Sequence, residues 1–209
     1  DSGVIGYIAK NNVDIVDSNE ENNDSNSNLN ENAENNEKLI MFWQYGSDLD
    51  VLGNKKIEGI NVVSPTWYEL KNSKGDISSK YSKEYYTQAK NMGYEIWPII
   101  NNGIDSTSYS PDETSAMLNS EYNREQFIKN LLEVAKQHKF EGINIDFEAM
   151  KTEDRDMYTQ LIKELTPILR SQGVKVSVDM YFVAYIDRKN VGKVVDYVVL
   201  MGYDHRGAW

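Results

Sequence analysis

From Lys38 onward the chain alternates short apolar runs with longer stretches in which apolar residues recur at helical spacing. The runs are Leu39–Tyr45, Ile60–Pro65, Glu95–Ile100, Gly142–Glu148, Val174–Tyr181 and Tyr197–Tyr203. They are nearly continuous in hydrophobic residues and rich in Val and Ile, the pattern of parallel strands covered on both faces. Helices are predicted between them over about Lys80–Met92, Arg124–His138 and Glu153–Ser171. Thr152 reads as the N-cap of the last helix, which stops before Gly173. Strands alternating with helices predict a parallel α/β fold.

A doubly wound open sheet and a (β/α)8 barrel both satisfy that order. No Gly-x-Gly-x-x-Gly loop follows the first strand, which weakens the dinucleotide-binding open sheet. Polar and aromatic residues gather instead at the C-terminal strand ends: Gln44, Tyr45, Thr66, Trp67, Asn101, Asn102, Asp146, Glu148, Tyr181, Tyr203 and Asp204. Barrel enzymes build their sites there. The fold predicted is therefore a (β/α)8 TIM barrel, incomplete here because only six strands fit before Trp209.

Ahead of the barrel, residues 18–37 contain only Leu29 and Ala33 as apolar side chains and carry six acidic residues with no basic one. Such a segment buries too little surface to offset its ordering entropy and reads as an acidic, Asn-rich linker. Residues 1–17 hold two short strand-like runs, Gly3–Lys10 and Val13–Val16, expected to be the remnant of a small SH3-like β module. The first residue is Asp1, so the chain reads as an excerpt of a longer protein, and the lack of a signal segment says nothing about export. An excerpt missing two β/α units is expected to aggregate and to be inactive on its own.

The net charge of −11 belongs mainly to that leader, leaving −3 for residues 38–209. A nearly balanced body without a basic stripe argues against nucleic acid as a partner. No apolar run approaches the roughly 18 residues that cross a bilayer, so no membrane span is expected. The absence of cysteine excludes disulfides, thiolate ligands and a thiol nucleophile. His138 and His205 are the only histidines and lie far apart, and Asp146, Glu148 and Asp204 make a poor cation set, so neither metal nor cofactor is expected.

The stretch that carries chemistry is Phe140-Glu141-Gly142-Ile143-Asn144-Ile145-Asp146-Phe147-Glu148. Side chains alternate along a strand, so Asn144, Asp146 and Glu148 point one way, toward a barrel axis, and Ile143, Ile145 and Phe147 the other, under the helices. Asp146 and Glu148 are then separated by roughly 6.6 Å of strand rise. At that spacing the charge on one carboxylate favours protonation of the other. A carboxyl group held protonated near neutral pH can serve as a general acid.

This stretch resembles the fourth strand of glycoside hydrolase family 18, Asp-Gly-x-Asp-x-Asp-x-Glu, with Glu141 and Asn144 departing from the commonest form. Met201-Gly202-Tyr203-Asp204 is similar to that family's Met-x-Tyr-Asp on the sixth strand. The resemblance covers residues 38–209, about three quarters of such a barrel. It implies retaining, substrate-assisted hydrolysis, in which the substrate's 2-acetamido oxygen is the nucleophile rather than a second carboxylate. Glu148 would be the acid and base, Asp146 would orient the acetamido group, Tyr203 would donate a hydrogen bond to it, and Asp204 would hold the sugar ring. Asn144, Tyr45, Trp67, Asn101, Tyr181 and Met201 complete the expected substrate-binding set, with Trp43, Trp97 and Trp209 as further strand-end aromatics.

Asn101-Asn102-Gly103 replaces the Ser-x-Gly-Gly common in chitinases of the family. With Ser64-Pro65-Thr66-Trp67, it is more similar to the branch acting on spore peptidoglycan. The expected partner is thus a polysaccharide containing N-acetylglucosamine, in the spore cortex or cell wall outside the cytoplasm, with the complete enzyme a monomer. A chitinase on the same residues and an inactive carbohydrate-binding relative remain alternative readings.

Overall fold

The computed structural model describes residues 5–6, 38–104 and 108–202. The expected β-module remnant and linker therefore lie outside the described residues apart from Ile5 and Gly6, as do Tyr203, Asp204, His205 and Trp209. In chain order the elements begin with β1 (Ile5–Gly6), β2 (Ile40–Gln44), α1 (Leu49–Leu52), β3 (Val62–Leu70), β4 (Ile77–Ser79) and α2 (Lys83–Asn91). Then come β5 (Glu95–Ile96), β6 (Ile99–Asn101), β7 (Gly103–Ile104), β8 (Ser108–Tyr109), α3 (Pro111–Leu118) and α4 (Glu121–His138). The last are β9 (Gly142–Asp146), α5 (Arg155–Arg170), β10 (Lys175–Met180), α6 (Arg188–Gly192) and β11 (Tyr197–Leu200).

The main sheet runs β2-β3-β6-β9-β10-β11 with every one of these pairs parallel. Sequential strands lie side by side with helices on the outer face, which is the incomplete (β/α)8 barrel. Short β1 lies antiparallel against β2, with Ile5 opposite Met41.

Two core layers follow from the alternation. Outward-facing Ile143, Ile145, Val176 and Val178 pack with Leu131, Tyr158, Leu161 and Leu165 of the helices. Inside the curl, at the N-terminal ends of the strands, Met41, Val62 and Trp97 form a second cluster with Leu39, Trp43 and Tyr197 against it. The helices start on hydroxyl caps: Ser82, Ser110 and Ser120 accept from Tyr85, Glu113 and Asn123 N–H. The Ser120 cap lets α4 begin three residues before the predicted Arg124.

Three details differ from expectation. The predicted Glu95–Ile100 strand is split at Trp97-Pro98, since proline has no N–H for the ladder. Thr152 does not cap α5; it opens a 3-10 turn over Thr152–Asp154, and Asp154 occupies the cap position. The strand expected to end at Pro65 continues to Leu70, where β4 pairs with it antiparallel. Within it, the register against β6 slips by one residue between Thr66 and Tyr68. That bulge reverses the inward and outward phase of the strand's last residues.

Candidate active site

The motif strand is shaped from below. Gly142 faces the inside of the curl, and a Cβ there would lie 2.4 Å from Trp97 Cδ2, so only glycine fits over that indole. Just before it, Glu141 accepts from Ile96 N–H at 2.9 Å and pairs with Lys90, tying β9 to β5 and α2. On the outer face Phe147 lies 5.8 Å from both Phe127 and Tyr158, which locks the end of the strand against α4 and α5.

Just past the strand, Glu148 is held through its main chain. Buried Asn102 accepts from Glu148 N–H at 2.8 Å and donates to Glu148 C=O at 2.8 Å. The same amide donates to Thr114 Oγ1 at 3.1 Å, so α3 fixes its orientation. Ala149 then adopts a left-handed φ of 48° and donates its N–H to Tyr185 Oη at 3.2 Å. A non-glycine residue there costs on the order of 1 kcal/mol or more, offset by this surrounding clamp. The Glu148 carboxylate accepts a 2.7 Å hydrogen bond from Tyr109 Oη of β8.

The interior of the curl at this level is acidic. Fully buried Asn144 accepts from Ser177 Oγ at 2.6 Å and donates to Asp179 Oδ2 at 2.8 Å. Asp146 Oδ1, Asp179 Oδ1 and Tyr158 Oη are buried with no hydrogen-bond partner among the described residues. No ion pair among the described residues includes Asp146, Glu148 or Asp179. Burial, and then the Glu148 charge, push the Asp146 carboxyl up to about 7. Asp179 is driven well above the usual carboxylate range by burial and by Asp146, with the Asn144 hydrogen bond pulling the other way. Burial and the neighbouring carboxylates likewise raise the Tyr158 and Tyr185 phenols.

Asp146, Glu148 and Asn144 thus lie on one strand end as expected, with Asn144 sealed beneath the carboxylates and hydrogen-bonded to Ser177 and Asp179. Trp67 is a correction. It keeps the outward phase of Val63 and lies in the core, fully buried, 5.1 Å from Tyr81 and 5.6 Å from Tyr85, with its indole N–H on Ser47 Oγ at 2.6 Å. It has no face to offer a sugar. Trp97 is buried in the floor as well. Asn101 turns its side chain back to accept from Gly103 N–H at 2.9 Å. Tyr45 is exposed past β2, Tyr181 is half-buried past β10, and Met201 is buried beyond β11. Asn102, named among the strand-end polar residues, holds Glu148, and Tyr109, Tyr185, Ser177 and Asp179 join the site without having been expected in it. Alternation did hold a signal for two of them, since Lys175, Ser177 and Asp179 interrupt the apolar run at every second position. Among the described residues no cluster of acidic and histidine side chains has the form of a metal site.

A curled parallel sheet with carboxylates at its C-terminal ends and an apolar floor is the architecture of barrel hydrolases. Residues 38–209 match the family "Glycosyl hydrolases family 18", and the chain belongs to that family of glycoside hydrolases. The uncharacterized glycosylase YvbX of Bacillus subtilis strain 168 is 29% identical over 146 residues, covering 65% of this chain and 42% of that protein. The cortical fragment-lytic enzyme of Bacillus anthracis is 30% identical over 123 residues, 54% of this chain and 28% of that protein. The chain therefore spans less than half the length of these relatives. Among solved structures, the spore cortex-lytic enzyme SleL of Bacillus cereus superimposes with a TM-score of 0.69 at 23% identity, over 79% of this chain and 41% of that one. A chitinase of Chromobacterium violaceum gives 0.68 at 20% identity, over 81% and 57%. At these identities the structures speak for the fold alone.

Proposed function

We propose that residues 38–209 belong to a retaining, substrate-assisted glycosidase that cleaves β-1,4 bonds following N-acetylglucosamine in peptidoglycan of the spore cortex or cell wall. The observation that carries this reading is the pair at the end of β9. Glu148 has its backbone clamped by Asn102 and its carboxylate held by Tyr109, beside an Asp146 poised near 7 in a site without a described cation. Similarity to cortical fragment-lytic enzymes supports the choice of polymer.

In this reading Glu148 protonates the glycosidic oxygen as the bond breaks. The acetamido carbonyl of the sugar attacks the anomeric carbon and forms an oxazolinium ring. Asp146 accepts from the acetamido N–H and, as an anion, offsets the positive charge of that ring. Water, deprotonated by Glu148, then opens the ring with retention of configuration. Tyr203 would donate to the acetamido oxygen, and Asp204 would hold the sugar. The polymer lies outside the cytoplasmic membrane, so the enzyme acts there; no described helix is long and apolar enough to cross a membrane.

The test is to incubate the full-length protein and its Glu148→Gln variant with cortex peptidoglycan and with chitooligosaccharides, and to read products by mass spectrometry. Muropeptides ending in reducing N-acetylglucosamine, absent with the variant, are the expected result. Chitobiose alone would make the protein a chitinase, and binding without products from either polymer would make it a lectin.

A further inference from the structure

Asp179 is a buried carboxyl group without a counter-ion among the described residues, and no step above uses it. Its surroundings are specific. Ser177 stands opposite Asn144 and Val178 opposite Ile145 in the β9–β10 register, so one step further places Asp179 beside Asp146 on the same inward face. Adjacent strands are about 4.8 Å apart, which brings the two carboxyl groups within each other's reach. The Ser177 hydroxyl fixes the Asn144 amide with its NH2 toward Asp179, so Asp179 Oδ2 is satisfied and Oδ1 is left over. Asp146 also has Oδ1 left over. With Asp179 fully buried and Asp146 half-buried, and a buried unused oxygen on each, the two carboxyl groups resist ionising together, and a single proton between them satisfies both.

We propose that Asp179 is a positioning residue for Asp146, the two carboxyl groups sharing one proton across the β9–β10 strand pair. With the proton on Asp179 Oδ1, Asp146 is the anion that faces the sugar; moving it across breaks one O–H bond, makes the other and leaves the total charge unchanged. The ionisable groups facing the pair are Glu148 past β9, Tyr158 of α5 and Tyr185 past β10, while β11 presents apolar Val199 opposite Asp179.

The sugar-facing part of this inference rests on the glycosidase reading above, so the test has one arm that needs no turnover. In full-length protein carrying 13C-labelled aspartate, the side-chain signals are followed against pH. Removing the partner charge with Asp146→Asn should move the Asp179 midpoint down by about one unit or more, as coupled sites require. Midpoints that ignore each other's substitution would overturn the proposal whether or not the protein is a glycosidase. In the second arm Asp179→Ala should lower kcat about tenfold with KM within about twofold, and shift the pH profile. The exchange Asn144→Asp with Asp179→Asn, which keeps a carboxyl–amide pair in place, should recover most of that loss. Loss of activity that tracks only a lower melting temperature, with an unmoved pH profile, would reduce Asp179 to a structural residue and sink the idea.

Discussion

The two ends of β9 hold carboxylates in opposite ways. At the N-terminal end Glu141 has both oxygens engaged, one by Lys90 and one by Ile96 N–H, and the strand above it rests on the Trp97 floor. At the C-terminal end Asp179 is fully buried and Asp146 half-buried, with no cation paired to either among the described residues and a buried oxygen left unpaired on each. A buried polar group left unsatisfied costs about 1–3 kcal/mol, so the upper end destabilises the fold while the lower end supports it. The fold tolerates at one end what it corrects at the other, and the uncorrected end is where a substrate would supply the missing partners.

The most severe break in that contrast is Glu148→Gln. If the upper end is catalytic, the variant keeps its Asn102 clamp, which uses only main-chain atoms of residue 148, and loses about 10²- to 10⁴-fold in kcat. Steady-state turnover on cortex fragments, with circular dichroism to establish folding, measures this.

Next in size is a stability effect of opposite sign to the usual one. The Asp146 carboxyl rises from 3.8 to about 7 in the folded chain, so its contribution to stability is fully present below the lower value. It is lost as pH rises through the upper one, because the unfolded chain ionises more readily. Asp146→Asn should therefore be more stable than the parent above pH 7, by up to about 4 kcal/mol at roughly 1.4 kcal/mol per unit, and the gain should vanish in acid. Thermal melts from pH 4 to 9 test it; equal melting temperatures at pH 9 would mean that the carboxyl is not desolvated as described.

The floor gives the third effect. Gly142→Ala drives a Cβ into the Trp97 indole, whose ring is packed by Tyr197 at 5.4 Å and covered by Lys175. Overpacking of this kind costs about 1–3 kcal/mol, read as a lower denaturation midpoint with unchanged slope.

Much of this was legible in the sequence. The apolar runs located the six parallel strands of the barrel because strands buried on both faces need nothing but hydrophobic residues. Alternation from Gly142 separated Asp146 and Asn144 from Ile143, Ile145 and Phe147 correctly. From outward-facing Val63 it also places Trp67 in the core, and it fails only past the slip, where Tyr68 and Leu70 join Trp67 on the outer face and no residue type announces the change. Pairings between distant positions were invisible for another reason. The Asn102 clamp spans 46 residues and the Asn144–Asp179 hydrogen bond spans 35, and alternation says which way a side chain points, not which strand lies beside it. Asn144 stands where the commonest form of the motif has aspartate, and the neighbouring strand supplies a carboxyl group that accepts a hydrogen bond from it.

The smallest effect sharpens the comparison most, because it concerns a carboxylate on the same strand. Glu141→Gln keeps the size of the side chain and one acceptor but removes the charge that engages Lys90 and strengthens the bond from Ile96 N–H. Both partners of the ion pair are about one-third exposed on their side chains, 33% and 31%, so solvent screens the pair. The expected loss is about 1 kcal/mol at neutral pH, read as a small drop in melting temperature. It is opposite in sign to the gain from Asp146→Asn above pH 7. Turnover and its pH profile should stay as in the parent, since Glu141 faces β5 and α2 at the far end of the strand from Glu148. A Glu141→Gln variant that instead gained stability would mean that the lower carboxylate is as poorly satisfied as the upper one, and the division of β9 into a supporting end and a working end would fall.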